Sequence, residues 1–501
     1  MGNYYKNLEQ NLIASGIPFE EAGWVHLFET ENEFNVEYHE KYHEPWVGLT
    51  EELSATSYNR RGPVPYEEKP LTFKILTGGT IIWYCERSSE ETIERDSREI
   101  QYRINDGVWT KIRSHYSSYS APKIEVVAGD VVEFKGDNRN YADTEAYAVH
   151  MSEYYRNSFS GSTAKFEVEG NIMSLIDSTG YWGLKSFTSS HVFINLFSNC
   201  TGLTSARNLV LPVTSLTEYC YWGLFENCGS LTTVPNLPAT TLDDDCYEKM
   251  FDGCASLTGV PSNYLPATTL AVACYADMFV GCTSLTTVPE LPATTLTNRC
   301  YADMFDGCTS LTTVPELPAT ALASSCYVGM FSYCTSLTTV PSNYLPATTL
   351  ADSCYSSMFN GCTALTAAPE LPATALTNTR WCYSNMFKGC TSLTTAPELP
   401  ATTLADYCYE CMFESCTTLT TAPELPATTL ALGCYQYMFQ NCRNLNYIKC
   451  LATNRSASLC TNGWVNAVQT NSGTFIKNPN MTSWPRGNSG IPNNWTVQDA
   501  T

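Results

Sequence analysis

The sequence predicts an α+β fold: a repeat solenoid with one short strand and one short helix per turn, preceded by a β-sandwich module and an N-terminal attachment segment. Three observations predict it. The stretch CYADMFDGCTSLTTVPELPATALASS begins at Cys300, and Cys326 begins it again. Cys-Tyr pairs start at Cys220, Cys246, Cys274, Cys300, Cys326, Cys354, Cys382, Cys408 and Cys434, 26 or 28 residues apart. A period of this length marks units that bury their apolar face only against their neighbours. Before the repeats, short β-rich runs alternate with Gly and Asp turns.

Residues 1–65 read as an anchoring segment. The first 70 residues hold 13 Glu, no Asp and five Lys or Arg. Short helices are expected over Tyr4 to Ala14 and around Glu20 to Phe28. Such a segment cannot bury a large core alone and orders on a partner; a small independently folded cap is the competing reading. It contains His39-Glu40-Lys41-Tyr42-His43, the letters of a zinc-protease helix. Pro45 would stop that helix, and Glu51 and Glu52 are merely nearby carboxylates, so no metal site is assigned. Prolines from Pro63 to Pro70 form a stiff boundary.

Residues 66–170 read as a β-sandwich, Ig-like in size. Leu71, Phe73 and Ile75 alternate, as do Ile100, Tyr102 and Ile104. Asn105-Asp106-Gly107 is a hairpin turn. Ile124 to Val127, Ala128-Gly129-Asp130 and Val131 to Phe134 read as a second hairpin. Asp130, Asp137 and Asp143 have the chemistry of calcium ligands but also of plain turn formers, which is the preferred reading.

Residues 171–200 form the N-terminal cap of the solenoid, 201–450 the solenoid and 451–501 its C-terminal cap, with Cys460, Trp464 and Val465 still in the repeat frame. Within a repeat, Tyr301, Met304, Phe305 and Cys308 fall at offsets of three and four, the face of a short helix. Thr297 or Asn298 would cap it, and Gly307, like Gly253, Gly281, Gly361 and Gly389, would end it in a left-handed conformation. Leu311 and Val314 are the expected anchors of a short strand that Pro315 ends.

The Leu-x-x-Val spacing, then Leu-Pro, then Phe-x-x-Cys resembles the BspA-like, or Treponema pallidum-type, leucine-rich repeat of bacterial surface proteins. The resemblance covers roughly half the chain and implies a leucine-rich-repeat solenoid. The wording CYxxMFxGCTSLTTAPELPATTL is similar to that of proteins of gut Bacteroides and their phages.

Of the 23 cysteines, 18 stand in two columns. Cysteines eight residues apart on a helix lie about 12 Å apart, too far for a disulfide. The columns therefore read as ladders of free, buried thiols. The lone Cys408-x-x-Cys411 is not repeated in sister copies, which argues against a redox pair.

A net charge of −22 excludes nucleic acid as a partner. No apolar run is long enough to span a membrane. Residues 1–16 lack an apolar signal core. The repeats contain no His, and no nucleophile–base pair, phosphate loop or metal cluster emerges, so no enzyme activity and no cofactor are expected. Comparison among copies yields candidate ligand-binding residues: a column of Glu290, Glu316, Glu370, Glu398 and Glu424, and the tyrosines of two inserts, Tyr264 and Tyr344. The two residues after each Cys-Tyr vary freely. The expectation is a binding protein: a phage virion protein, such as a tail or head fibre, held through residues 1–65 by other virion proteins and touching a host surface glycan or protein through the repeats. The alternative is a bacterial cell-surface adhesin. The composition leaves room for a homo-oligomer.

Overall fold

A computed structural model describes residues 65–86, 96–117, 119–139, 156–377, 379–468 and 472–501. The chain divides into two units, Met1–Lys69 and Pro70–Thr501. Of the first, the described part is a single 3-10 turn, Tyr66–Glu68. The anchoring segment, the His39 to His43 motif, Glu51, Glu52 and Asp143 lie outside the described residues.

The second unit opens with nine strands: β1 (Leu71–Thr77), β2 (Gly79–Ile82), β3 (Tyr84–Glu86), β4 (Glu99–Ile104), β5 (Thr110–Arg113), β6 (Lys123–Val126), β7 (Val131–Gly136), β8 (Arg156–Ser158) and β9 (Lys165–Asn171). A tenth, β10 (Leu203–Val210), completes a six-stranded sheet of order β10-β9-β1-β7-β4-β5. Two pairs, β2-β6 and β3-β8, lie beside it. Alternation decides the core: Leu71, Phe73, Ile75, Val132, Phe134, Phe166 and Val168 all point inward and are buried. Phe73 stacks on Phe166 at 4.5 Å and meets Phe134 and Phe159 at 4.8 Å.

The expected turn at Asn105 and Asp106 is present, both residues at positive φ (50° and 60°), and joins antiparallel β4 and β5. The second expected hairpin is not formed. β6 pairs with β2, while β7 pairs with β1 and β4, so Ala128-Gly129-Asp130 links strands of different sheets. Asp130 holds that link: its carboxylate accepts from the Val127 amide and the Asn105 side chain, both at 2.8 Å. Asp137 likewise accepts from the Ser178 amide at 2.9 Å.

From Val192 onward the chain stacks in coils, and here the expected helix is absent. Each Cys-Tyr segment is a run of tight turns. In the Cys300 coil, Arg299, Asp303 and Gly307 take positive φ of 58°, 52° and 70°. The same three places are left-handed in all ten coils from Cys220 to Cys460. Cys300 and Tyr301, then Met304 and Phe305, then Cys308 point inward. That is a period of four, two in and two out. Over nine residues it is indistinguishable by eye from the 3.6 of a helix, which is why the sequence reads as helical.

Hydrogen bonding follows the same alternation. The amides of Arg299, Tyr301, Asp303, Phe305 and Gly307 donate to Ser324, Cys326, Val328, Met330 and Ser332 of the next coil, at 2.8–3.1 Å. The residues between them, such as Ala302 and Asp306, donate three residues back within their own coil. Thr297 therefore caps nothing; its hydroxyl donates to the Ala271 carbonyl of the preceding coil at 2.6 Å. Gly307 is left-handed as expected, but as the third of three such positions rather than as a helix end.

The expected strand at Val314 is also missing. Leu311 is fully buried and Val314 half-buried, but between Leu231 and Pro423 this segment meets its neighbours through single bridges such as Gly259 to Thr287 and Ala367 to Thr395. Pro315 and Pro318 bring no amide to a ladder, which keeps the contact to single bridges. Inside, aromatic rings stack coil on coil. Tyr275, Tyr301 and Tyr327 follow at 5.9 Å, and Phe279, Phe305 and Phe331 at 5.6 Å. The second cysteine column has a partner of its own: Cys282, Cys308 and Cys334 each donate a thiol proton at 3.2 Å to the carbonyl of a phenylalanine in the preceding coil.

Both ends of the stack are covered. At the start, the Phe159 amide donates to Leu196 at 2.8 Å, and β10 runs parallel to β9. At the end stands a parallel sheet of β11 (Tyr447–Cys450), β12 (Thr474–Lys477) and β13 (Thr496–Asp499). Trp464 stacks on Trp484 at 5.7 Å and donates its indole N–H to Gly490 at 2.7 Å.

Candidate binding surfaces

The coils offer two repeated outer surfaces. On the proline side, Glu290, Glu316, Glu370, Glu398 and Glu424 are all exposed. Glu424 is tied to Lys449 at 2.9 Å. Threonines line the same side, but several hydroxyls are used inside the stack: Thr286 donates to the Thr258 carbonyl at 3.0 Å and Thr366 to Thr338 at 3.2 Å. These threonines hold coil to coil.

The insert tyrosines do not belong to a surface. Tyr264 is 3 % exposed and Tyr344 is 6 % exposed. Tyr264 lies 6.3 Å from Phe251, and Tyr344 sits 6.4 Å from both Phe331 and Phe359. The extra residues of each insert let a ring reach the phenylalanine column, and the insert backbone is used as well: Ser262 and Ser342 accept the amides of Glu290 and Glu370 at 2.7 Å. Tyr264 and Tyr344 are core residues, which corrects their assignment as ligand-binding.

The second surface is the turn side, where the residues after each Cys-Tyr lie at the rim of the coil: Trp222, Glu248, Ala276, Ala302 and Ser384 are buried there, while Lys249, Asp303, Ser357 and Tyr437 are half-buried. The second of each pair, for example Lys249, Asp303, Ser357 or Tyr437, is left-handed. A side chain there lies across the next coil. The would-be Cβ of Gly329 is 1.9 Å from Asp303 Oδ1, and that of Gly361 is 2.6 Å from the Tyr333 ring. Glycine in the next coil thus makes room for a large side chain in the one before. Left-handed backbone also explains a pattern the sequence carried unread: none of the three left-handed columns contains Val, Ile or Thr in a chain rich in threonine.

The turn side changes character along the stack. Early coils are acidic. Glu248 is buried beside Asp245 and Asp277; burial first, then these neighbouring carboxylates, push its carboxyl up to about 8. Burial first, then like charge, raises Asp303 and Asp306 to about 6. Later coils add aromatic side chains, Tyr333, Trp381, Tyr407 and Tyr437, to those of the first coil, Tyr219 and Trp222.

All described cysteines are free. Burial pushes the Cys408 thiol well above its ordinary value and the half-buried Cys411 up to about 12, so neither offers the thiolate that redox exchange needs. Among the described residues no group of three His, Cys, Asp or Glu is placed to hold a metal ion, and no helix is long and apolar enough to cross a membrane.

A family model for the BspA type leucine rich repeat region matches residues 247–369 and 372–460, in 6 copies. No curated protein and no solved structure matches the chain.

Proposed function

The chain is a BspA-type leucine-rich-repeat protein, and from that premise we propose that it is a non-enzymatic adhesion protein whose coils form an elongated solenoid and present the contact surface. Repeats of this type belong to surface binding and adhesion proteins. The observation that carries the reading is the division of labour within a coil. The inward residues and the ladder amides are nearly invariant from copy to copy, while the residues after Cys-Tyr, half-buried or buried at the rim of the coil, change freely on a fixed backbone. Ten coils at about 4.8 Å each give a contact surface about 50 Å long, enough for an interface of standard size. The exposed glutamate column would meet cations or a basic partner, because like charges one coil apart repel.

The more specific form of the proposal is a bacteriophage virion protein, anchored to the particle through residues 1–65 with its repeats turned to the host surface. A bacterial cell-surface adhesin is the alternative. The wording of the repeats and the acidic, aromatic composition ahead of Pro70 support the first. Two truncations test it. Residues 70–501 should bind host cells and not the particle, and residues 1–69 should bind the particle alone. Docking of the repeats to the particle would reverse the polarity and remove the host-contact role.

A further inference from the structure

The coil from Cys354 to Cys382 is two residues longer than the 26-residue coils for a reason unlike that of the other long coils. There the extra residues are the Ser-Asn-Tyr inserts on the proline side. Here they stand on the turn side: five residues separate Leu376 from Cys382, where three separate Leu322 from Cys326. The insertion ends in Trp381, a left-handed residue (φ 53°) and 38 % exposed. Thr379 beside it is buried, and its hydroxyl donates to the Leu376 carbonyl at 3.4 Å.

The indole is fixed on one face and along its edge. Its C-terminal face stacks on Tyr407, with centroids 5.5 Å apart and planes 12° apart. The Tyr407 ring in turn fills the space over Gly433. The Glu410 carboxyl lies beside Trp381 and Ser384; burial raises it and these two neighbours, with Lys388, lower it. On the N-terminal side the same column holds Ser353, whose single hydroxyl is too short to cover an indole. The result is a rigid aromatic step, open on one face and flanked by carboxylates and hydroxyls.

We infer that this step is a subsite for a neutral glycan, one pyranose ring stacking its C–H face on Trp381 with Glu410 beside its hydroxyls; the inference rests on the reading of the coils as a binding surface. The C–H face of a sugar is weakly positive and meets the electron-rich face of an indole as a cation does, though more weakly. Hydroxyls at the ring edge then need an acceptor, which the Glu410 carboxylate supplies. Charge selects the neutral class. The cations near the step are already engaged, Lys388 with Glu414 at 3.0 Å and Arg380 with Asp406 at 3.9 Å. A net charge of −22 further repels an acidic polymer.

Native affinity electrophoresis of the full chain, in gels containing yeast mannan, glucomannan or dextran, reads the binding directly. Retardation by at least one of these and none by polygalacturonate is expected. Trp381→Ala should weaken retardation at least tenfold, Trp381→Phe should keep most of it, and all three proteins should melt alike because the indole is outside the core. Retardation by none of the neutral polymers, equal retardation by polygalacturonate, or undiminished retardation of Trp381→Ala overturns the inference. Host cells that bind the chain but lose it on protease treatment would leave adhesion standing and replace the glycan by a protein. Polysaccharide binding without cell binding would do the reverse.

Discussion

Single residues in this chain are constrained by the sign of φ as much as by burial. Ser356 and Ser357 are neighbours of similar exposure, but only Ser357 is left-handed, at 58°. Ser357→Val should therefore cost about 2 kcal/mol or more, and Ser356→Val within about 0.5 kcal/mol. Equal urea midpoints for the two variants would dismiss the left-handed columns. Charge acts at the same scale. Glu248 is raised to about 8, so between the ordinary carboxylate range and that value the folded chain holds a proton that the unfolded chain has released. Its contribution to stability is thus fully present at low pH and declines as pH rises toward about 8. Asp252, Asp303 and Asp306, raised to about 6, act in the same direction over a lower window. Urea unfolding at pH 5, 6, 7 and 8 should show falling stability, and Glu248→Gln should flatten the upper part of the slope. An unchanged slope in that variant would mean the shared proton is elsewhere.

At the scale of the element, the coil replaces the helix. Far-UV circular dichroism should show no helical double minimum for residues 70–501; a strong one would restore the helix. Deleting Cys300 to Ser325 removes one complete coil and should leave a folded, shorter protein, since Tyr275 and Tyr327 present the same ring to each other. Phe305→Ala, which hollows the column between Phe279 and Phe331, should cost about 3–5 kcal/mol. What the sequence revealed of this element was its period and its core: Tyr301, Met304, Phe305, Cys308 and Leu311 are all buried as expected. It hid the backbone, because two turns of a 3.6 period and two of a four-residue period place the same residues inward. The absence of β-branched residues at every fourth position was the available signal. Glu316 and its column stand exposed as expected from their place beside Pro315, whereas Tyr264 and Tyr344 were misplaced because an insert between copies looks like surface even when its ring fills the core.

At the scale of the molecule, the sheet domain is the first neighbour of the stack. Phe197 stacks on Phe159 at 5.9 Å, and β10 of the repeat region is the edge partner of β9. A chain starting at Ile172 should melt lower than residues 70–501 and bind a hydrophobic dye, because its first coil loses both contacts. Two calorimetric transitions, with that of the repeats unmoved by the truncation, would separate the parts. The coil-to-coil ladder also sets how the protein behaves under load. An adhesion protein of the proposed kind would be pulled along its length, and here each coil is joined to the next by short, separately breakable bonds. Each coil of 26 residues that peels away pays out about 85 Å of slack chain and leaves the remaining coils stacked. Stretched between a surface and a cantilever, the repeats should give way in a sawtooth of steps of about that length, so that the tether lengthens many times over before its grip is tested.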